Sequence, residues 1–281
     1  MTMASRSFHS LGPQGFHRIA YTEWGDPANG RVLLCVHGLT RTGRDFDAIA
    51  AALADEWRVI CPDIVGRGAS DRLPDARGYD YGVYCADMAA LIARSGAETV
   101  DWLGTSMGGI IGMMLAAQPN APIRRLVLND IGPVIATAGL ERIASYVGRD
   151  PLFRSFDEAY QAIRGISAAF GPMTEEDWRR FVEASLVAQP GGGFRLNYDP
   201  QIAWPFREQP VREIQLWELW DAIRCPVLVL RGAESDLLRA ETLEEMRRRG
   251  PGCEAVEIAG VGHCPALMDS HQIETVRRFL A

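Results

Sequence analysis

The chain has 281 residues, of which 47% are hydrophobic, and a formal net charge of −7 at pH 7. This length allows one large domain with a sizeable core or two small domains. The acidic balance argues against nucleic acid as a partner, since the one arginine triplet, Arg247–Arg249, closes a predicted helix, where cations stabilise the helix dipole.

The sequence also predicts a soluble cytoplasmic protein without membrane attachment. Its first residues lack the apolar core of a signal peptide, and no apolar run approaches the length that crosses a bilayer. We expect neither a metal ion nor an organic cofactor, because the sequence contains no metal-ligand cluster and no phosphate-binding loop. The cysteines are far apart in sequence and are typical of small buried residues in a reducing compartment: Cys35, Cys61, Cys85, Cys225, Cys253 and Cys264.

In chain order, an antiparallel hairpin at a sheet edge is predicted first, with strands at 8–10 and 16–24. Several short runs are then apolar without alternation, which favours parallel strands covered on both faces: 32–36, 59–61, 100–103, 126–128 and 227–230. Helical periodicity separates these runs, and an alternating edge strand at 255–258 precedes a helix at 270–280. The pattern predicts an α/β fold with a mostly parallel, doubly wound sheet.

Residues 132–216 interrupt this alternation, because no strand is predicted among them. Capping patterns at Ser155–Glu158 and Thr174–Asp177 predict helices, and Gly191–Gly193 predicts a flexible joint. We expect a helical lid folded over the carboxyl edge of the sheet, where ligands bind in open α/β folds. The domain prediction is therefore a core of residues 1–131 and 217–281 with a lid at 132–216.

The candidate nucleophile is Ser106, within Gly104-Thr105-Ser106-Met107-Gly108. This Gly-x-Ser-x-Gly pattern follows a predicted strand and enters an apolar helix predicted at 107–117, the context of a nucleophile elbow. A serine hydroxyl needs a base. His263 lies in a loop after the last strand, at the predicted ligand edge, whereas His9, His17 and His271 are expected to be solvated.

A histidine that cycles through its charged form needs an acceptor on its second nitrogen. Asp236, in the loop after strand 227–230, is the preferred acid, since it keeps the order serine, acid, histidine with the acid on the loop that follows the lid. Asp130, at the end of strand 126–129, remains the alternative, with a cap or lid anchor as its other role. Glu234 is a third, weaker option.

The sequence resembles the α/β-hydrolase family along nearly its whole length. The resemblance rests on Cys35–Thr40 (a His-Gly loop), Asp63–Ser70 (an Asp-x-x-Gly-x-Gly-x-Ser loop), the elbow, the Asp236 loop and the Gly262-His263 pair. It implies that the backbone N–H groups of Leu39 and Met107 form an oxyanion hole and that His37 braces its loop rather than transferring protons.

The function predicted by these residues is hydrolysis of carboxylic esters through an acyl-enzyme. A carbon–carbon bond hydrolase of aromatic ring-fission products, or a lactone or amide hydrolase, is the alternative. The resemblance associates the carbon–carbon enzymes with an Asn before the nucleophile, where this chain has Thr105. A binding protein without turnover is less expected, because serine, histidine and acid are all present in order.

Arginines near the lid helices give a hint about the substrate. Arg142 and Arg149 are the candidate substrate-binding residues within a group that also contains Arg154 and Arg164. An arginine facing the pocket would select acidic substrates such as half-esters through a paired hydrogen bond. Tryptophans at 204–220 fit a pocket lining, a homodimer contact or packing between lid and core.

Overall fold

The computed structural model describes residues 3–281 and has the predicted α/β architecture. Its strands in chain order are β1 (Met3–Gly12), β2 (Gly15–Trp24), β3 (Val32–Val36), β4 (Arg58–Pro62), β5 (Val100–Thr105), β6 (Ile123–Asn129), β7 (Val134–Ile135), β8 (Leu186–Ala188), β9 (Phe194–Leu196), β10 (Ile214–Gln215), β11 (Val227–Gly232) and β12 (Glu254–Ile258). Its α-helices are α1 (Asp47–Leu53), α2 (Tyr81–Ser95), α3 (Met107–Ala116), α4 (Thr137–Tyr146), α5 (Phe156–Ile166), α6 (Glu175–Ala184), α7 (Trp204–Glu208), α8 (Trp217–Ala222), α9 (Ala240–Arg248) and α10 (Ser270–Leu280).

The central sheet has eight strands in the order β1-β2-β4-β3-β5-β6-β11-β12. The pairs β1–β2 and β2–β4 are antiparallel, and the remaining pairs, from β4–β3 to β11–β12, are parallel. The predicted edge hairpin and the mostly parallel sheet are therefore confirmed. Parallel pairing brings the carboxyl ends of β3, β5, β6, β11 and β12 to one edge of the sheet.

The non-alternating apolar strands are buried on both faces, as their composition predicts. In β3, Leu34 packs into the core on the side of α2 and α3, whereas Leu33 packs into the core on the side of α1 and α10. In β5, Trp102 packs on the side of α2 and α3, and Leu103 packs on the side of α1 and α10. All four side chains are fully buried. This two-sided packing fixes the strand ends from which the loops of the site emerge.

The edge hairpin corrects one expectation about the histidines. His17 of β2 is 4% exposed rather than solvated, and its Nε2 lies 2.8 Å from Oδ1 of buried Asp87 in α2. His9 and His271 are exposed, as expected. The contact of His17 with Asp87 therefore joins α2 to the hairpin.

The insertion between β6 and β11 is mainly helical, but the prediction that it contains no strand is wrong. β7 and β10 form a two-stranded pair that joins the two ends of the insertion, with Ile135 opposite Ile214. β8 and β9 form a hairpin, and Gly191–Gly193 lies in its turn rather than in a flexible joint. Short strands like these are set by tertiary pairing, so they leave little periodicity in the sequence.

The two predicted helix caps in the insertion are present. Oγ of Ser155 accepts a hydrogen bond from the N–H of Glu158 at 3.2 Å, at the start of α5. Oγ1 of Thr174 accepts one from the N–H of Asp177 at 3.1 Å, at the start of α6. These side chains satisfy backbone donors that the first helical turn leaves without partners.

Within residues 3–281, no helix is long and apolar enough to cross a membrane. In the same part of the chain, no three histidine, cysteine or acidic side chains are grouped so as to hold a metal ion. All six cysteines are free thiols. Cys35, Cys61 and Cys264 are buried, and burial raises the pKa of the Cys35 and Cys264 thiols.

Candidate active site

Ser106 lies at the sharp turn between β5 and α3, with φ of 51° and ψ of −114°. This backbone conformation is strained for a residue with a side chain. The turn requires glycine on both sides: a Cβ on Gly104 would lie 2.3 Å from the carbonyl oxygen of Gly108, and one on Gly108 would lie 1.9 Å from that of Val36. The strand, the turn and the helix therefore pack too closely for any other residue at these positions.

His263 follows β12 and reaches the elbow from the neighbouring loop. Its Nε2 lies 2.9 Å from Oγ of Ser106, and the imidazole is 8% exposed. The N–H of the preceding residue, Gly262, donates to the carbonyl of Ala169 in the insertion at 2.7 Å. The serine and the histidine named from the sequence are thus within hydrogen-bonding distance.

The carboxylate against His263 belongs to Asp130, so the preference for Asp236 as its partner is wrong. Oδ2 of Asp130 lies 2.7 Å from Nδ1 of His263 and accepts a second hydrogen bond from Oγ of Ser235 at 2.6 Å. Oδ1 accepts the N–H of Gly232 at 2.8 Å. Asp130 is fully buried, and these three contacts hold its carboxylate in one orientation.

Asp236 is instead paired with Arg142 of α4. Nε and Nη2 of Arg142 donate to the two carboxylate oxygens of Asp236 at 2.6 and 2.9 Å, in a bidentate pair. The pair is partly exposed, and the Arg142 hydrogen bonds lower the pKa of Asp236. Asp236 thus connects the insertion to the core, the kind of anchoring role that the sequence had suggested for Asp130. Glu234 is exposed at the same loop.

Two backbone N–H groups next to Ser106 are available for an oxyanion. Among residues 3–281, neither the N–H of Leu39 nor that of Met107 has a hydrogen-bond partner. Met107 is the first residue of α3, where the helix dipole favours negative charge. The loop lies close to the elbow, since a Cβ on Gly38 would be 3.7 Å from Cβ of Ser106, an ordinary van der Waals contact.

His37 braces the Leu39 loop. Nδ1 of His37 lies 2.7 Å from the carbonyl of Gly38, and Nε2 accepts the N–H of Ile64 at 2.9 Å. Full burial lowers the pKa of His37 to about 3. The imidazole is therefore neutral near pH 7, and both of its nitrogens are used in holding loops together.

Arg67 supports the same loop and was not singled out from the sequence. Its side chain is 1% exposed, and its Nε donates to the carbonyl of Leu39 at 2.9 Å. Nη1 donates to the carbonyl of Val65 at 2.7 Å and to the hydroxyl of Tyr84 at 3.0 Å, and Nη2 lies 3.6 Å from Sδ of Met107. Within the described residues this buried guanidinium has no carboxylate partner. The pattern around Gly66-Arg67-Gly68 signals a loop but does not indicate this contact.

A cavity of about 720 Å³, called here the large cavity, opens at Ser106 and His263. The insertion supplies most of its wall, including Tyr146 of α4 and Ile163 of α5. Arg142 and Arg149, the arginines selected from the sequence, both line it. Arg154 and Arg164 are not among its lining residues, and Arg164 pairs with Glu175 at 2.8 Å on the outer surface.

A second cavity of about 390 Å³, called here the small cavity, also reaches Ser106. It lies along α3 and is lined by Met107, Ile110 and Trp204 among other residues. Nε1 of Trp204 donates to the carbonyl of Tyr79 at 3.1 Å. The other two tryptophans of the 204–220 segment do not line either cavity: Trp220 is fully buried, and Trp217 packs under the guanidinium of Arg249.

Comparisons with known proteins match nearly the whole chain. A family model described as alpha/beta hydrolase fold matches residues 31–269. A 3-hydroxybutyrate-oligomer hydrolase from Cupriavidus necator is 50% identical over 277 residues, which cover 96% of this chain and 94% of that protein.

Two crystal structures show a similar fold over almost the entire chain. A protein from Rickettsia typhi superimposes with a TM-score of 0.91 at 35% identity, covering 100% of this chain and 99% of that one. An alpha/beta hydrolase from Novosphingobium aromaticivorans superimposes with a TM-score of 0.88 at 37% identity, covering 99% of this chain and 98% of that one.

Proposed function

Because the chain belongs to the α/β-hydrolase fold family, we propose that it is a serine hydrolase of carboxylic esters. Ser106 is the nucleophile, His263 the general base and Asp130 the acid. The observation that carries the proposal is the continuous chain of contacts from Oγ of Ser106 to Nε2 of His263 at 2.9 Å and from Nδ1 of His263 to Oδ2 of Asp130 at 2.7 Å.

In the first half of the reaction, Oγ of Ser106 attacks the ester carbonyl carbon while Nε2 of His263 takes the hydroxyl proton. The charge on the imidazolium is balanced by Asp130, which is buried and accepts the Nδ1–H. The carbon–oxygen bond to the alcohol then breaks, and His263 returns the proton to the departing oxygen. An acyl group remains on Ser106.

In the second half, His263 takes a proton from water, and the resulting hydroxide attacks the acyl carbonyl. Collapse breaks the bond to Oγ, and His263 returns its proton to Oγ, which releases the carboxylic acid and restores the serine. In both halves the negative carbonyl oxygen is bound by the N–H groups of Leu39 and Met107, which have no other partner within the described chain. Such fixed donors stabilise the transition state because they need no reorganisation.

We propose linear oligoesters of a short hydroxy acid, such as 3-hydroxybutyrate, as the substrates. The support is the 50% identity over nearly the full length of a 3-hydroxybutyrate-oligomer hydrolase. An oligoester has chain on both sides of each ester bond, and Ser106 likewise lies between two cavities. In this proposal residues 132–216 act as a lid that encloses the reacting bond.

The test is hydrolysis of the 3-hydroxybutyrate dimer and trimer, and of p-nitrophenyl butanoate, by the wild type and by the Ser106→Ala and His263→Ala variants. We expect the wild type to release monomer, and we expect each variant to lose at least about a thousandfold in kcat. Thermal unfolding of the three proteins controls for folding.

Each outcome has a distinct meaning. Turnover of p-nitrophenyl butanoate without turnover of the oligomers would overturn the substrate and keep the serine esterase. Turnover that persists in Ser106→Ala would overturn the nucleophile. If the folded wild type cleaves no ester, ester hydrolysis itself is wrong, and ring-fission dienoates, lactones and amides become the substrates to try.

A further inference from the structure

We infer that the large cavity holds the leaving alcohol of the ester, and that Arg149 binds a carboxylate on that alcohol. The inference rests on the proposed ester hydrolysis at Ser106 and adds to it a direction along the substrate. The preferred substrates are then esters whose alcohol part is itself a hydroxy acid, cleaved next to the unit with the free carboxyl group.

The direction follows from which cavity contains the proton donor. His263 lines the large cavity, whereas the described residues that line the small cavity include Ser106 and Met107 but not His263. The departing oxygen must lie within hydrogen-bonding reach of Nε2 to receive its proton. The alcohol part therefore extends into the large cavity, and the acyl part extends into the small one.

The charges that line the large cavity are balanced except at one residue. The guanidinium of Arg41 is bidentate to Asp45 at 2.9 and 2.6 Å. Arg142 is bidentate to Asp236, and the carboxylate of Asp150 pairs with Arg195, outside the lining, at 2.6 Å.

Arg149 is the exception. Within residues 3–281 its side chain makes no ion pair and no hydrogen bond, although its backbone N–H donates to the carbonyl of Tyr146 at 3.2 Å. It follows α4 in the insertion and is exposed along the cavity wall. A free guanidinium presents a planar pair of donors that matches a carboxylate. Arg142, the other arginine predicted to bind substrate, has its donors occupied by Asp236.

The small cavity lacks such an excess of positive charge. Its lining contains Arg212, which has no partner among the described residues. It also contains Asp80, which caps α2 and whose carboxylate has no cationic partner among the described residues. Glu213 of the same wall is paired with Arg239 at 2.6 Å. Many of its other lining residues, such as Ile110 and Leu140, are apolar and suit an acyl chain.

In the proposed reaction, attack by Ser106 breaks the bond between the carbonyl carbon and the ester oxygen, and His263 protonates that oxygen. The first product is a hydroxy acid, released from the large cavity with its carboxylate intact. The acyl group left on Ser106 is then hydrolysed by water. No co-reactant other than water is needed.

The test compares two forms of one substrate, the 3-hydroxybutyrate dimer as its free acid and as its primary amide. The wild type, Arg149→Ala and Arg149→Lys are assayed on both, and the quantity measured is the ratio of kcat/KM for the acid to that for the amide. Arg154→Ala is the matched control, since Arg154 is also an exposed arginine of the insertion, makes no ion pair within the described chain and lines neither cavity.

We expect Arg149→Ala to lower the acid-to-amide ratio by about 10- to 100-fold, as expected for loss of charge-assisted hydrogen bonds. Arg149→Lys should recover part of the ratio, and Arg154→Ala should leave it unchanged. The inference would be overturned if Arg149→Ala changed kcat/KM for the acid and the amide by the same factor. It would also be overturned if Arg154→Ala lowered the acid-to-amide ratio as much as Arg149→Ala.

A monoethyl succinate assay tests the direction, because this ester carries its carboxylate on the acyl side. Arg149→Ala should change its kcat/KM less than that of the dimer acid. A larger change, or dependence of the dimer acid on Arg212 rather than Arg149, would reverse the assignment of the two cavities. If the wild type cleaves the dimer acid and amide equally well, this inference fails while the proposed function stands. If it cleaves neither but turns over p-nitrophenyl butanoate, the proposed substrate and this inference fail while the serine esterase stands; if it cleaves no ester at all, the proposed function fails.

Discussion

Replacing Asp130 with asparagine tests which of the two candidate aspartates, Asp130 or Asp236, is the acid that supports His263. Oδ2 of Asp130 accepts from both Nδ1 of His263 and Oγ of Ser235, while Oδ1 accepts the N–H of Gly232. An asparagine has only one acceptor oxygen. If that oxygen stays with Gly232, the amide N–H₂ faces His263 and favours the tautomer with its proton on Nε2, which cannot accept a proton from Ser106.

The expected loss for Asp130→Asn is about 10³- to 10⁴-fold in kcat, by analogy with the loss of a triad aspartate in other serine hydrolases. This loss corresponds to about 4 to 5.5 kcal/mol of transition-state stabilisation. The matched variant, Asp236→Asn, weakens a partly exposed ion pair with Arg142. Such pairs contribute about 0.2 to 1 kcal/mol, so kcat should change by less than about fivefold.

The assay is steady-state hydrolysis of p-nitrophenyl butanoate by the wild type and both variants, with thermal unfolding as the folding control. A folded Asp130→Asn variant that retains more than about a tenth of the wild-type kcat would refute the reasoning. A greater loss in Asp236→Asn than in Asp130→Asn would show that Asp236 is the acid.

Three further predictions concern residues around the site. Arg67→Met should lower kcat by about tenfold or more with little change in KM, because the buried guanidinium fixes the Leu39 carbonyl and hence the Leu39 N–H, the proposed oxyanion donor. Steady-state kinetics checks this, and an unchanged kcat would count against it. Burial lowers the pKa of His37 from 6.5 to about 3, so protonation below pH 6.5 favours the unfolded chain. The free energy of unfolding therefore decreases as the pH falls below 6.5, by about 2 kcal/mol at pH 5. Chemical denaturation at pH 7 and pH 5 should show a smaller loss in His37→Gln, and equal losses would refute this. Gly108→Ala should prevent folding or abolish activity, since its Cβ would overlap a backbone oxygen at 1.9 Å. The control is Gly165→Ala, in open space within α5, which should raise the free energy of unfolding by about 0.5 to 1 kcal/mol in thermal unfolding. An active, stable Gly108→Ala would show that the elbow tolerates a side chain.

The sheet and the elbow could be predicted because their signals are local. Unbroken apolar runs indicate strands that are buried on both faces, and these runs match β3, β5, β6 and β11 to within a few residues. The elbow needs glycine at positions 104 and 108 for steric reasons, so the pattern around Ser106 already contains its geometry. The loop after β12 places His263 at the same edge, because parallel strands end together.

The choice between Asp130 and Asp236 depended on contacts that the sequence does not display. Both residues follow strands that end at the same edge, and the expectation that the acid lies on the loop after the lid favoured Asp236. Asp130 lies directly after β6, which is next to β5, and its φ of 55° is a left-handed conformation that aspartate tolerates. Asp236 lies four residues beyond the end of β11, where Arg142 from the insertion reaches it. Direct adjacency to a strand end was the signal that could have favoured Asp130.

The arginines show a similar limit. A helical pattern places Arg142 and Arg149 near a pocket, but it does not tell which guanidinium already has a partner. The guanidinium of Arg142 is paired with Asp236, whereas the guanidinium of Arg149 has no partner among the described residues. Arg67 was overlooked because a buried arginine inside a glycine-rich loop has no distinctive periodicity.

The most direct test of the central claim is to identify the acyl-enzyme. The wild type is mixed with p-nitrophenyl butanoate, quenched in acid before the second half of the reaction is complete, and digested for peptide mass spectrometry. We predict one butanoyl group on the peptide that contains Ser106, and none in Ser106→Ala. A butanoyl group on another residue, or turnover by the wild type without any acylated Ser106, would contradict the proposed mechanism.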